Sequence, residues 1–260
     1  MQLIDIGVNL TNQRLLHDID ELLDNARSAG VMRQIITGTC PESSALAYQL
    51  TLKHPNELYA TAGCHPHDAK DFQEEDLKEL TKLLTAETVV AIGECGLDFN
   101  RNYSPQDIQL KVFHEQLSLA KQIHKPLFLH QRDAHQELLS ALDQHEYTRA
   151  VVHCFTGTKE EAKDYLDRDL YIGITGWITE KKRGESLREA VKYIPKERLM
   201  IETDSPYLLP HNISPKPKSR TNVPAYLPFV LEMLADCLGE EPQALAEQLT
   251  SNTLEFFDLE

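Results

Sequence analysis

A chain of 260 residues with 41 Asp and Glu against 26 Lys and Arg carries a formal charge of −15 with its histidines neutral. That balance excludes a protein that coats nucleic acid through a globally basic face, so any such substrate must be met by local basic loops or bound cations. With 41% hydrophobic and 26% charged residues, the composition is that of an ordinary soluble globular protein, long enough to bury a full core.

The N-terminal run is Leu3-Ile4-Asp5-Ile6, and Asp5 interrupts it where a secretion signal would continue. No apolar stretch approaches the roughly 18 to 20 residues needed to cross a bilayer. Five cysteines, at 40, 64, 95, 154 and 237, are odd in number and never in a Cys-x-x-Cys pair, a pattern of reduced thiols. A cytoplasmic protein is expected.

Eight short apolar or β-branched runs follow in order: Leu3 to Asn9, Met32 to Thr39, Leu58 to His65, Val89 to Asp98, Pro126 to Arg132, Ala150 to Thr156, Tyr171 to Trp177 and Leu199 to Tyr207. Several are apolar on successive residues, as in Val89-Val90-Ala91-Ile92, which suits strands covered on both faces. Helical patterns separate them. Gly30 stops the pattern of Asp18 to Ala29, Ser104-Pro105 offers a cap followed by proline at the first helical position, and Thr158 with Glu161 and Asp133 with Gln136 have capping-box spacing. Eight strand-helix units in about 250 residues predict a single-domain (β/α)8 TIM barrel over residues 1–260. Ser214 to Asn222 is then a long loop at its mouth.

The polar residues most costly to bury recur at the C-terminal ends of the strands. They are Asp5 and Asn9, His65 and His67, Glu94 and Asp98, His130 and Arg132, His153, and Glu202 and Asp204. In a barrel these ends converge on one face. Imidazole and carboxylate without thiolate suit Mg, Mn or Zn, and a cation bound by Glu94, His130, His153 and Asp204 keeps a position for water. A lone histidine on an apolar strand is more often a hydrogen-bonded core residue than a ligand, so the cluster carries the argument rather than any member. His65-Pro66-His67 reads equally as a turn, and neither histidine is taken as a ligand.

The blocks Ala62-Gly63-Cys64-His65-Pro66-His67, Ala91-Ile92-Gly93-Glu94-Cys95-Gly96-Leu97-Asp98, His130-Gln131-Arg132-Asp133-Ala134, His153-Cys154-Phe155-Thr156-Gly157 and Ile201-Glu202-Thr203-Asp204-Ser205-Pro206-Tyr207 resemble the signatures of the TatD family of metal-dependent deoxyribonucleases. The resemblance runs through nearly the whole chain. It implies an amidohydrolase-like barrel with divalent cations, Mg most expected and Mn or Zn as alternatives. The activity it implies is hydrolysis of DNA, as a 3′ to 5′ exonuclease on single strands and with RNA as a further substrate, in DNA repair or turnover. Carried over by motif, Glu94, His130, His153 and Asp204 are the metal ligands, Asp204 orients or deprotonates the attacking water, and Glu94 bridges two metals. His65, Arg132, Lys216 and Arg220 are expected to contact substrate, with single-stranded 3′ ends of DNA as the partner, no membrane, and a monomeric chain.

One departure stands at strand one. Many relatives have His-x-His there, whereas Gly7 and Asn9 occupy those positions here. Gly7 cannot ligate and Asn9 offers a weak amide oxygen, which favours one tight metal site with a weaker one completed by substrate phosphate. The Gly-Val-Asn-Leu-Thr variant resembles the subgroup that includes bacterial TatD. Lys181-Lys182-Arg183 and Lys216, Lys218 and Arg220 fall on loops where barrels often hold phosphate, while Phe155 and Trp177 could stack a base or belong to the core. The rival readings are an ester or amide hydrolase on the same scaffold, such as a D-aminoacyl-tRNA deacylase, and a catalytically weak nucleic-acid-binding protein.

Overall fold

The structure, a computed structural model, describes residues 2–259. The elements in chain order are β1 (Leu3–Val8), α1 (Ile19–Ser28), β2 (Val31–Ile36), α2 (Pro41–Lys53), β3 (Leu58–Ala62), α3 (Glu74–Leu83), β4 (Val89–Asp98), α4 (Gln106–Ile123), β5 (Leu127–Arg132), α5 (His135–His145), β6 (Ala150–Val152), α6 (Lys159–Leu166), β7 (Tyr171–Ile174), α7 (Glu185–Val191), β8 (Leu199–Ile201), α8 (Leu227–Leu238) and α9 (Pro242–Phe256). Every residue of β1 and of β4 is buried, as their continuous apolar runs require. The eight strands form one sheet in the order β1 to β8, the strand order of the (β/α)8 barrel expected from the sequence. Among the described residues no helix is long and apolar enough to cross a membrane.

Two compact units divide the chain, Thr37–His153 and Met1–Ile36 with Cys154–Glu260. In the first, β3, β4, β5 and β6 pair in parallel. Gly96 has φ +134° and a Cβ there would lie 2.0 Å from the His130 carbonyl oxygen, so only glycine lets β4 run this close to β5. Two buried glutamines of α4 serve the strand ends. The Gln116 side chain accepts from Cys64 N (2.8 Å) and donates to Cys64 O (3.0 Å), and Gln109 accepts from Asp98 N (2.8 Å) and donates to Asp98 O (3.1 Å).

In the second unit β1 pairs with β2 and β7 with β8, all in parallel. The end of β1 meets the segment after β8: Asp204 N donates to Gly7 O (2.9 Å) and Asn9 N to Ser205 O (2.8 Å). Asp5 reinforces that seam. Its fully buried carboxylate accepts from Thr203 N (2.9 Å), Thr203 Oγ1 (2.5 Å) and Gly7 N (3.2 Å).

Three local expectations change. Strands β2, β3, β6, β7 and β8 stop at Ile36, Ala62, Val152, Ile174 and Ile201, so the polar residues that follow leave the ladder and stand in loops. Ser104 does not cap α4, because its hydroxyl donates to His67 O (2.8 Å) and accepts from Lys70 N (3.0 Å), leaving Pro105 as the residue before the helix. Asp133 forms no capping box, since it sits at φ +52° and accepts from Asn100 Nδ2 (2.7 Å) while Ala134 precedes α5. The Thr158–Glu161 box forms as read.

Candidate metal centre

Within Thr37–His153, one carboxylate oxygen gathers three imidazoles. Glu94 Oε1 lies 2.8 Å from His130 Nδ1, 2.8 Å from His153 Nε2 and 3.2 Å from His65 Nε2. Burial by itself pushes the Glu94 carboxyl upward, but His153, His65 and His130 overcome it and hold the group well below the usual carboxylate range. Burial pulls the His65 pKa down, whereas at His130 the carboxylates of Asp98 and Glu94 outweigh burial and raise it.

The arrangement fits a divalent cation. His65, Glu94 and His130 bring donor atoms within 4.8 Å of one another, and the buried Nε2 of His130 has no hydrogen-bond partner, standing 3.4 Å from Asp98 Oδ2 without alignment. A buried imidazole nitrogen left unbonded is costly unless something binds it. The Nδ1 of His65 accepts the His67 backbone N–H at 3.1 Å, which leaves Nε2 as the atom turned to Glu94. That atom faces Glu94 Oε1 as the Nε2 of His153 does. The His65-Pro66 segment is also the turn that its sequence suggested, closed by Asp68 N to His65 O at 2.9 Å.

Sequence reading placed Asp98 beside Glu94 but gave it no role. Asp98 accepts from Arg101 N (2.8 Å) and Asn100 N (3.1 Å) and lies 2.6 Å from His67 Nε2. Burial tends to raise its pKa, yet the nearby His130 ring and the bonds from Arg101 and His67 hold it far below the ordinary value. Asp98 thus stays ionised and fixes two rings at once. Its place four residues after Glu94 on one strand face was the signal. Arg132 ends β5 with its side chain exposed.

Asp204, Lys216 and Arg220 belong to the other unit. Asp204 takes φ +52°, and its Oδ1 accepts from Asn9 Nδ2 (3.0 Å), which also donates to Ser205 O (3.2 Å). Asn9 is therefore not an idle replacement for a ligand: it is a clamp that aims the Asp204 carboxylate. Glu202, fully buried, accepts from Cys154 N at 2.5 Å and serves the backbone. Phe155 is 4% exposed and packs edge-on against Tyr165, which removes it as a base-stacking candidate. Lys216 and Arg220 line a cavity together with Trp177.

Comparison with known proteins places these features in a family. The family model described as TatD related DNase matches residues 4–258. A protein of Citrobacter rodentium named 3′-5′ ssDNA/RNA exonuclease TatD is 46% identical over 99% of this chain and 98% of its own length. Its counterpart of that name in Salmonella typhimurium is 44% identical over 99% of both. Among solved structures, a TatD family hydrolase from Entamoeba histolytica superposes with a TM-score of 0.91 at 29% identity, covering 100% of this chain and 99% of that one. A TatD homologue from Escherichia coli gives 0.90 at 29% identity over 99% and 98%. The chain belongs to the family of TatD-related DNases, metal-dependent hydrolases built on the (β/α)8 barrel.

Proposed function

We propose that this chain is a 3′ to 5′ exonuclease that hydrolyses phosphodiester bonds of single-stranded DNA and RNA with Mg as its activator. The observation that carries the reading is the convergence of three imidazoles on Glu94 Oε1 within 3.2 Å, in a chain 46% identical to a protein named for that activity. It works as a cytoplasmic monomer in repair or turnover of DNA.

By the family resemblance Glu94, His130, His153 and Asp204 would hold the cation. Bound there, it supplies Lewis-acid polarisation of the scissile phosphate and an acidified water. Asp204, aimed by Asn9, would orient the attacking water and accept its proton. His65, beside Glu94, would contact the substrate phosphate as negative charge builds on it. Arg132 pairs with the scissile phosphate, and Lys216 and Arg220 hold its neighbours.

Metal-stripped protein given 5′-labelled single-stranded DNA or RNA is expected to produce a ladder shortening from the 3′ end once Mg or Mn is returned. An Asp204→Ala control should leave the substrate intact. Intact substrate with every metal and folded wild-type protein would sink the reading and favour aminoacyl-ester substrates. Asn9 offers a finer check. Replacing the partner that orients a site carboxylate typically costs about 10- to 100-fold, so Asn9→Ala should lower kcat by that factor with KM little changed. An unaltered kcat would deny it the clamping role.

A further inference from the structure

The loops that follow β7 and β8 enclose a cavity of about 740 Å³, a volume suited to small ligands. Its charge runs against that of the chain. Lys181, Arg183, Lys216 and Arg220 line it against the single carboxylate of Glu180, in a sequence where 41 acidic residues outnumber 26 basic ones. Glu180 is already engaged, with Arg183 at 2.6 Å and His211 at 3.2 Å. Among the described residues Lys181, Lys216 and Arg220 have no ion-pair partner. The cavity therefore presents free cations and fits an anionic ligand.

One wall is aromatic. Trp177 is half-buried on the turn after β7, its indole N–H donates to Arg183 O at 3.2 Å, and the Arg183 guanidinium lies over the ring at 4.5 Å. The cavity is also held in shape before any ligand arrives. Gly176 brings the two loops so close that a Cβ would stand 2.2 Å from Leu208 O. Thr179 Oγ1 accepts from His211 N (2.7 Å) and donates to Gly176 O (2.6 Å). Arg188 on α7 donates to the carbonyls of Ile178 (2.8 Å), Glu180 (2.7 Å) and Lys181 (2.8 Å).

We infer that this cavity is a nucleotide subsite for a single-stranded polymer, in which an unpaired base stacks on Trp177 and the flanking phosphates rest on Lys181, Lys216 and Arg220. The base takes the place of the Arg183 guanidinium over the indole, and Arg183 turns to a phosphate. The inference rests on the proposal that the substrate is a nucleic acid, but it concerns binding rather than cleavage. Duplex DNA, whose bases are already stacked and paired, does not offer a free base face and is refused by the same geometry.

Trp177 is the chain's single tryptophan, so its fluorescence reports this wall alone. In metal-free protein, where cleavage cannot intervene, a single-stranded oligothymidylate should quench that fluorescence saturably, whereas duplex DNA and inorganic phosphate at equal concentration should not. Anisotropy of a labelled oligothymidylate should show Trp177→Ala binding about tenfold more weakly and Trp177→Phe recovering most of the loss. Arg183→Ala should lower the salt dependence by about 0.7 in the log-log slope. Binding by anisotropy without quenching, or equal affinity of Trp177→Ala and wild type, would overturn the subsite while leaving the nuclease reading intact. Quenching without cleavage when metal is restored would retain the subsite and remove the nuclease reading. Absence of binding by both readouts would overturn the subsite.

Discussion

Glu94→Gln will abolish hydrolysis of single-stranded DNA, with a fall in kcat of at least about a thousandfold, while the barrel remains folded by circular dichroism. The size follows from the several kcal/mol of charge stabilisation that a bound cation contributes. Glu94 Oε1 is the common neighbour of His65, His130 and His153 within 3.2 Å. Its negative charge compensates a cluster of rings that would otherwise exclude a cation, and glutamine keeps the shape while deleting the charge. Calorimetric titration with Mn should show loss of tight binding in parallel. A variant that retains kcat within tenfold of wild type at saturating metal would show that the charge of Glu94 is not what holds the cation.

The second large effect concerns stability. Asp5 is fully buried, and burial raises its pKa from 3.8 to about 7 against the opposing bonds from Thr203 and Gly7. A carboxyl raised on folding favours the folded state while both states are protonated. That contribution is lost as pH climbs from near 4 through about 7. The full cost at alkaline pH is about 4 kcal/mol, of which about 2.5 falls between pH 5 and pH 8. Asp5→Asn imitates the protonated group, accepting from the Gly7 and Thr203 amides and donating to Thr203 Oγ1. Urea unfolding of the two metal-free proteins at those pH values should show wild type losing about 2.5 kcal/mol relative to the variant. A parallel pH dependence would mean that Asp5 is ionised at little cost.

How far the sequence could be read depended on what kind of partner each residue has. The eight strands were legible because a strand covered on both faces is apolar on successive residues, as β1 and β4 are. Glu94, His130 and His153 were legible as a set because strand ends in this topology converge. Strand limits were overrun at β2, β3, β6, β7 and β8, where the chain leaves the ladder to present its polar residues and composition does not change at that point. Ser104 and Asp133 misled for another reason: each has a good local role as a cap and a tertiary partner that takes it instead, His67 and Lys70 for Ser104 and Asn100 for Asp133. Asn9 looked like the loss of a ligand until its amide was found on Asp204. Phe155 and Trp177 carry the same sequence signal, and only burial separates them.

The glutamines of α4 bear on how such a molecule can change. A glutamine side chain has the donor and acceptor of a peptide group, so Gln109 and Gln116 act as two short pieces of an additional strand, closing the open backbone of Asp98 and Cys64. Substitution by leucine would satisfy a hydrophobicity profile and leave peptide groups stranded in the interior; glutamate would set acceptor against acceptor. Sequence drift along α4 is thereby confined at these two positions. The loops beyond the strand ends can vary in length and chemistry while their mounting points stay fixed, and new substrates can be explored from an unchanging frame.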